Sequence, residues 1–243
     1  MPMKHTYKAM TDLETYELSD IDPEDISDIL LKVEKSFDFK FGKNELRDVK
    51  SFGELCDIIR TKVQGENIND CTTQQAFYKL RNALVETLSI DKDSIKSETS
   101  LQELITGESR RQKISAIDKN VGFKTRTLRA KHWLTGSLLL TLIVSFLGLF
   151  LLWKIALPVF AMSIIGLKLS DKFGNEFDFK TVGELAEKIS REHYKEVRRN
   201  NQTFNPNEIT AKVRELFKHD LDLKESALTR EATFDKPKLI SNA

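Results

Sequence analysis

Four histidines, two cysteines and a scatter of carboxylates are the side chains of this 243-residue chain with chemistry to offer. Their spacing gathers none of them into a site. His5, His132, His193 and His219 stand far apart, and the chain has no HExxH helix, no glycine-rich phosphate loop and no nucleophile elbow. His193 and His219 fall in charged helical stretches, where solvated imidazoles are expected; His132 adjoins Trp133, a setting that suits headgroup contact. Cys56 and Cys71 have neither metal-ligand nor redox spacing, so two thiols in a reducing compartment are expected. Glu54 and Glu184 recur in the related segments KSFGELCDII (50–59) and KTVGELAEKI (180–189). They read as solvent-facing helix residues beside buried Leu55 and Leu185 rather than as an acid–base pair. Ser109, in a Gly-Glu-Ser loop, suits a helix N-cap. Asn201-Gln202-Thr203 matches a glycosylation acceptor, a short pattern with meaning only on an exported tail. No catalytic residue and no metal ligand is expected, and the chain does not read as an enzyme.

The elements around these residues are dominated by an uncharged run. LTGSLLLTLIVSFLGLFLL lies between Trp133 and Trp153 and is bounded by Lys131 and Lys154. About 20 apolar residues, rising 1.5 Å each, cover the roughly 30 Å of a bilayer core. The two tryptophans suit the interfaces. A second apolar stretch, IALPVFAMSIIGL (155–167), is short for a span by itself. Lys154 can snorkel its ammonium to the interface, so Trp153 and Lys154 can form a tight turn. Pro158 then lies near the first turn of a returning helix, where a missing N–H costs little. A two-span hairpin is the preferred reading, with one span followed by an interfacial or packed helix as the alternative. A hairpin leaves both flanks on one side of the membrane; a single span separates them.

Charge sets the side. Lys119, Lys124, Arg126, Arg129 and Lys131 precede the first span, and Lys154 alone stands near its far end. Cytoplasmic loops carry such excesses, which places the N-terminal region in the cytoplasm. The first 30 residues, with Asp12, Glu14, Glu17, Asp20, Asp22, Glu24 and Asp25, are acidic and lack the apolar core of a signal peptide. Across the chain 38 basic residues balance 37 acidic ones, which argues against general nucleic-acid binding. The basic segment 110–131 fixes orientation and touches anionic headgroups, or else docks an acidic partner. The expectation is an integral membrane protein whose soluble modules face the cytoplasm and whose first partner is the lipid bilayer.

The soluble parts repeat. Besides the Gly-Glu-Leu segments, AFYKLRNALVETLSIDKDSIKSETSL (76–101) aligns without a gap on ITAKVRELFKHDLDLKESALTREATF (209–234) at an offset of 133. Leu80, Leu84, Leu88, Ile90 and Ile95 match Val213, Phe217, Leu221, Leu223 and Leu228. Leu80, Leu84 and Leu88 recur every four residues and make one helix face. The pattern is one duplication, not a solenoid of three or more units.

These segments resemble acyl carrier proteins, small four-helix bundles that carry acyl chains on a phosphopantetheine attached to a serine. The resemblance covers about 150 of the 243 residues and comes in halves. Residues 24–60, with Ile26, Ile29, Leu30, Val33, Phe37 and then Phe52, Leu55, Ile58 and Ile59, resemble the second half of a carrier. Residues 75–109 resemble the first half. LKLSDKFGNEFDFKTVGELAEKI (167–189) is similar to the second half again, and 207–234 to the first. The family's Asp-Ser-Leu attachment motif is degraded at every matching position. The resemblance implies Ser109 as the one residue able to carry the arm, flanked by Glu108 and Arg110 where the family has Asp and Leu. The other positions fall on Pro23, Val159 and Asn242, none of which has a hydroxyl.

Two pairings of the halves are open. Adjacent halves, 24–60 with 75–109, can form a permuted bundle joined by the polar, flexible linker 61–73. Alternatively 75–109 pairs with 167–189 across the apolar hairpin, and the N-terminal half completes the C-terminal one. The expected fold is mostly α, with acyl-carrier-like helical bundle units and a transmembrane helical hairpin. The expected divisions are an acidic segment 1–20, a first module 21–123, a basic flank and hairpin 124–168, and a second module 169–243. By the resemblance, the modules are non-catalytic docking surfaces for an enzyme of acyl or lipid metabolism and need no cofactor. One rival is a membrane-tethered carrier with phosphopantetheine on Ser109. Another is a structural membrane-assembly protein that packs through Gly136, Ser137, Ser145 and Gly148.

Overall fold

A computed structural model describes residues 17–107, 109–150 and 152–234. In chain order the elements are α1 (Pro23–Phe37), α2 (Phe52–Lys62), β1 (Glu66–Asn67), α3 (Thr72–Leu88), α4 (Leu101–Leu104), α5 (Arg110–Val121), β2 (Leu128–Arg129), α6 (His132–Gly148), α7 (Trp153–Phe173), β3 (Glu176–Phe177), α8 (Val182–Glu192), α9 (Tyr194–Val197), β4 (Thr203–Phe204) and α10 (Pro206–Asp220). The chain is mostly helical, and its strands form only two-stranded ladders, β1 with β4 in parallel and β2 with β3 antiparallel. Two compact units divide it, Met1–Gln75 with Ile189–Ala243, and Ala76–Lys188. The division interleaves the chain, whereas modules 21–123 and 169–243 would cut it in sequence order. Residues 1–16 of the acidic N-terminal segment, with His5, lie outside the described residues, as do Glu108, Ser241 and Asn242.

In the first unit, Asp22 caps α1 by accepting the Glu24 N–H at 2.9 Å, and Pro23 supplies a preset φ where no donor is needed. Ile26, Ile29, Leu30, Val33 and Phe37 then recur at helical spacing and are all buried. They pack with Phe52, Leu55, Cys56 and Ile59 of α2 and with Ile209, Val213, Leu216 and Phe217 of α10 in one core. Phe52 and Phe217 meet edge-on at 5.3 Å between ring centres. Burying each such side chain is worth about 1.5–3 kcal/mol. Segment 24–60 therefore packs with 207–234, as in the second of the two pairings.

The Ala76–Lys188 unit is built the same way. Leu80 and Leu84 of α3, Ile95, Leu101, Ile114 and Ile117 of α5, and Val182 and Leu185 of α8 are its buried apolar side chains. The duplication extends to single hydrogen bonds. Gly53 N–H donates to Arg230 O at 2.9 Å and Gly183 N–H to Ser97 O at 2.7 Å. Phe52 N–H reaches Ala232 O and Val182 N–H reaches Thr99 O; Phe234 N–H reaches Lys50 O and Leu101 N–H reaches Lys180 O. Isolated bridges Ser51–Thr233 and Ser100–Thr181 sit at the same places. Each helix that opens with Gly-Glu-Leu is thus stitched by its first turn to the loop after the long helix.

That stitch explains the glycines of the repeated motif. A Cβ on Gly53 would sit 2.7 Å from Arg230 O, and one on Gly183 would sit 2.8 Å from Ser97 O. Both obstacles are backbone atoms that cannot swing away. Gly53→Ala and Gly183→Ala are each expected to destabilise their own unit by about 2–3 kcal/mol. Gly136→Ala, with nothing within 4 Å of the added methyl, is the control and should leave thermal unfolding unchanged.

One correspondence differs from the sequence reading, which likened the segment around Phe173 (167–189) to the whole of 24–60. The helix that stands where α1 stands is α5. Both end in a left-handed residue, Asp38 at φ 55° and Gly122 at φ 92°. Each carries a carboxylate one turn from its end that accepts the N–H seven residues on, Glu34 from Phe41 at 2.7 Å and Asp118 from Thr125 at 3.0 Å. Aligned by these ends, Leu30, Val33 and Phe37 match Ile114, Ile117 and Val121. The apolar segment is accordingly an insertion after α5, where the first unit has only the loop 38–51.

That insertion is a helical hairpin. α6 has 17 residues and α7 has 21, and they pack against each other. The turn lies before Trp153, so Trp153 and Lys154 open α7 instead of forming the turn, and Pro158 sits inside the helix. Among the described residues only α7 is long and apolar enough to cross a membrane, its Trp153–Ser170 window having a mean hydropathy of 1.4; α6 is apolar but shorter.

Candidate functional site

The side-chain pattern of the α6–α7 hairpin is the reverse of a soluble protein's. Its large apolar residues point outward: Trp133 is 70% exposed, Phe150 82% and Met162 72%, with Leu140, Val144, Leu147, Ile155 and Ile165 exposed beside them. Four small residues, Ser145, Ala156, Ser163 and Ser170, are buried instead. Gly148 approaches Ala156 and Gly166 approaches Leu138. Every hydroxyl from Thr135 to Ser170 donates to a carbonyl of its own helix, from Thr135 to His132 O through Ser145 to Leu142 O and Ser163 to Val159 O. No polar group of these side chains is left to water, the condition a hydrocarbon environment imposes.

The stem below the hairpin is tightly tied. β2 pairs with β3, matching Leu128 to Phe177 and Arg129 to Glu176. Thr125 and Thr127 are buried and share a hydrogen bond at 2.6 Å, and Thr125 also donates to Asp118. Lys188, buried in α8, spends its ammonium on the carbonyls of Thr125 and Arg126, at 2.9 Å each.

Ser109 stands exposed immediately before α5, the position a helix-opening attachment serine would have. It occupies the N-cap position, but its hydroxyl makes no capping hydrogen bond. Arg110 beside it is folded back: Nε donates to Ile105 O at 3.1 Å, Nη1 donates to Asn175 O at 2.7 Å, and the guanidinium lies 4.7 Å from the Phe177 ring centre. Lys113 donates to Thr106 O. Pro23, the position the carrier resemblance pointed to in the other unit, is the first residue of α1; aligned by the helix ends, Ser109 matches Asp25 instead.

Glu54 and Glu184 are exposed, and their carboxylates are structural. Each accepts a backbone N–H just before its own helix, from Lys50 and Lys180, both at 2.7 Å. The N–H groups of Lys50 and Ser51 hold the Glu54 carboxyl below the usual carboxylate range. Cys56 is buried in the core, and burial pushes its thiol up to about 12, so it is inert to redox chemistry at neutral pH. Cys71 is exposed.

The sequence left residues 190–205 without a role, yet they form the most densely bonded polar cluster of the first unit. Arg198 donates from Nε to Thr203 Oγ1 at 3.0 Å, from Nη1 to Thr72 Oγ1 at 2.7 Å, and from Nη2 to Asp70. The Thr72 hydroxyl donates to Glu208 at 2.6 Å. Tyr194 is fully buried; its hydroxyl accepts the Asn205 N–H at 2.8 Å, and its own N–H donates to Ser36 Oγ. Lys195 donates to Gln64 O and is held below the usual lysine range by burial and by the charge of Arg198. The linker 61–73 is therefore pinned along its length rather than flexible. His193, expected to be solvated, is buried and paired with Glu196. These hydrogen bonds tie the linker, α9 and β4 together and hold the unit's shape.

No family model matches the chain, and no curated protein or solved structure shows detectable similarity to it.

Proposed function

We propose that this chain is a membrane-anchored, non-catalytic protein whose two helical units act as docking modules at the membrane face. The observation that carries the anchoring is the inside-out hairpin, with large apolar side chains outward and serine, alanine and glycine between the helices. At about 25 Å and 31 Å, the lengths of α6 and α7 bracket a thin bilayer core. Leu149, Phe150 and Leu152 at the turn extend the apolar reach of α6.

The pairing of halves supports an even number of crossings. Segments before and after the hairpin share each unit's core, so both flanks must lie on one side of any membrane the hairpin enters. A single span would pull those cores apart, which favours two spans. Lys124, Arg126, Arg129 and Lys131 at the base, against Lys154 near the turn, favour the cytoplasm as that side.

The docking role rests on the resemblance to acyl carriers, which are recognised by enzymes through a helix face; it names acyl or lipid enzymes as the partner class. The exposed, uncapped hydroxyl of Ser109 favours the second reading, a tethered carrier with phosphopantetheine on that serine. Intact mass measurement of the full-length protein from its own membrane, with peptide mapping around Ser109, separates the two. An unmodified serine in cells whose carriers are fully loaded is the expected result, and a phosphopantetheine adduct would replace docking with carriage. Anchoring is read in the same preparation. Resistance to alkaline carbonate extraction is expected, and release by carbonate would sink the integral reading.

A further inference from the structure

We infer that the stem of the hairpin is a preformed site for anionic lipid headgroups, centred on Lys124, Arg126 and Lys131; the inference rests on the membrane reading above. The basic segment of the sequence runs from 110 to 131, but the structure divides it. Arg110 and Lys113 are folded onto backbone carbonyls of their own unit. From 124 to 131 buried and exposed residues alternate along an irregular segment that includes β2. Thr125, Thr127 and Ala130 are buried, while Lys124, Arg126, Arg129 and Lys131 between them are exposed. Inward small residues and outward bases in alternation make a basic strip.

The strip is held rigidly. Arg126 sits in the left-handed region at φ 48°, a costly conformation for a residue with a side chain. It is fixed there by the two Lys188 hydrogen bonds to the carbonyls of Thr125 and Arg126 and by the Asp178 N–H on Thr127 O at 3.0 Å. A network of this kind fixes the backbone on either side of Arg126 before any ligand arrives, which lowers the ordering cost of binding. The neighbouring carboxylates are Asp118, which accepts from the N–H and hydroxyl of Thr125, Glu176, opposite Arg129 in the ladder, and Asp178, paired with Arg129 at 3.1 Å. The last two neutralise Arg129 and leave the other three bases, with exposed Lys168 near the end of α7, as the positive face.

Continuity selects the occupant. Lys131 is the residue before α6, and Trp133, two residues on, is where the outward apolar surface starts. A cation strip contiguous with a lipid-facing helix meets headgroups, and phosphate-bearing anionic lipids supply the opposite charge at that depth.

The two tryptophans of the chain provide the test, one at each end of the hairpin. Full-length Trp153→Phe, with Trp133 as its sole fluorophore, is reconstituted into mixed phosphatidylcholine–phosphatidylglycerol vesicles in which one lipid or the other carries brominated chains. Brominated phosphatidylglycerol is expected to quench Trp133 beyond its mole fraction, with a preference of about threefold or more. Trp153, read in Trp133→Phe, should show no preference. Replacing the three exposed bases together (Lys124→Gln, Arg126→Gln, Lys131→Gln) should abolish the preference at Trp133 while leaving quenching by phosphatidylcholine intact. Equal quenching of Trp133 by both lipids, or a preference that survives the triple replacement, overturns the headgroup site and spares the membrane reading. Failure of either lipid to quench either tryptophan overturns both.

Discussion

Joining Arg129 directly to Glu176 through an Asn-Gly turn is expected to move the protein from the membrane fraction to the soluble fraction while both units stay folded. The reasoning is geometric. Arg129 and Glu176 are facing partners in an antiparallel ladder, so the insertion leaves and returns at adjacent points. Two residues with φ above zero close such a pair without splaying it, and Asn-Gly is the usual choice. The excised helices make their extensive packing with each other, and the stem keeps Asp118, Thr125, Thr127 and Lys188. What the excision removes from water is the large exposed apolar surface of Trp133, Phe150, Met162 and their neighbours. Each such residue is worth a few tenths of a kcal/mol or more to insertion, and together they decide partitioning. Sedimentation after lysis reads the result, and circular dichroism reads the fold. A shortened protein that remains with membranes would show that the helical units, not the hairpin, hold it there. One that unfolds would show that the stem depends on the helices above it.

The hairpin and the duplication were legible because both rest on patterns that the backbone enforces locally. An uncharged run is read residue by residue, and the two long helices α3 and α10 present the same buried stripe, Leu80, Leu84 against Val213, Phe217. The pairing of the halves was not decidable from the sequence, since Gly53 and Gly183 have equal claims on the Arg230 and Ser97 loops until the hydrogen bonds are seen. The correspondence of α5 with α1 was hidden for a different reason. α5 is one turn shorter and its stripe is only Ile114, Ile117 and Val121, while the apolar residues near Phe173 offered a stronger false match. The turn position was missed because Leu149, Phe150 and Leu152 carry no turn signal; the helices part there among residues that would continue either one. Ser109 was singled out only through the carrier resemblance, and the structure adds that its hydroxyl is not spent on capping. The cluster about Arg198 gave no signal at all. SREHYKEVRRNNQTFN reads as a charged helix extension running into a loop, and only tertiary hydrogen bonds that Arg198 donates to Thr72, Asp70 and Thr203 show it turned inward.

Arg198 consequently marks the largest single-residue effect expected on stability. Its side chain is buried, 4% of the residue being exposed, and it fans three hydrogen bonds into the linker on one side and the β4 strand on the other. Its guanidinium also lies 5.5 Å from the ring centre of the buried Tyr194. Arg198→Ala is expected to destabilise the unit formed by Met1–Gln75 and Ile189–Ala243 by about 3–4 kcal/mol, because hydrogen bonds to a charged donor are worth about 1.5–3 kcal/mol each and are not fully additive. Part of the loss is returned by Lys195, whose ammonium is freed from the neighbouring guanidinium charge. Arg198→Lys keeps the charge but cannot reach Thr72, Thr203 and Asp70 together, so it should recover less than half of the difference. Hydrogen exchange on the full-length protein in detergent separates this from a general loss of structure. Amides of α1, α2 and α10 should lose protection, while those of α5 and the first turns of α8 keep theirs. Unchanged exchange in α1, α2 and α10 would mean that the apolar core alone, with Phe37, Phe52 and Phe217 at its centre, holds the two ends of the chain together.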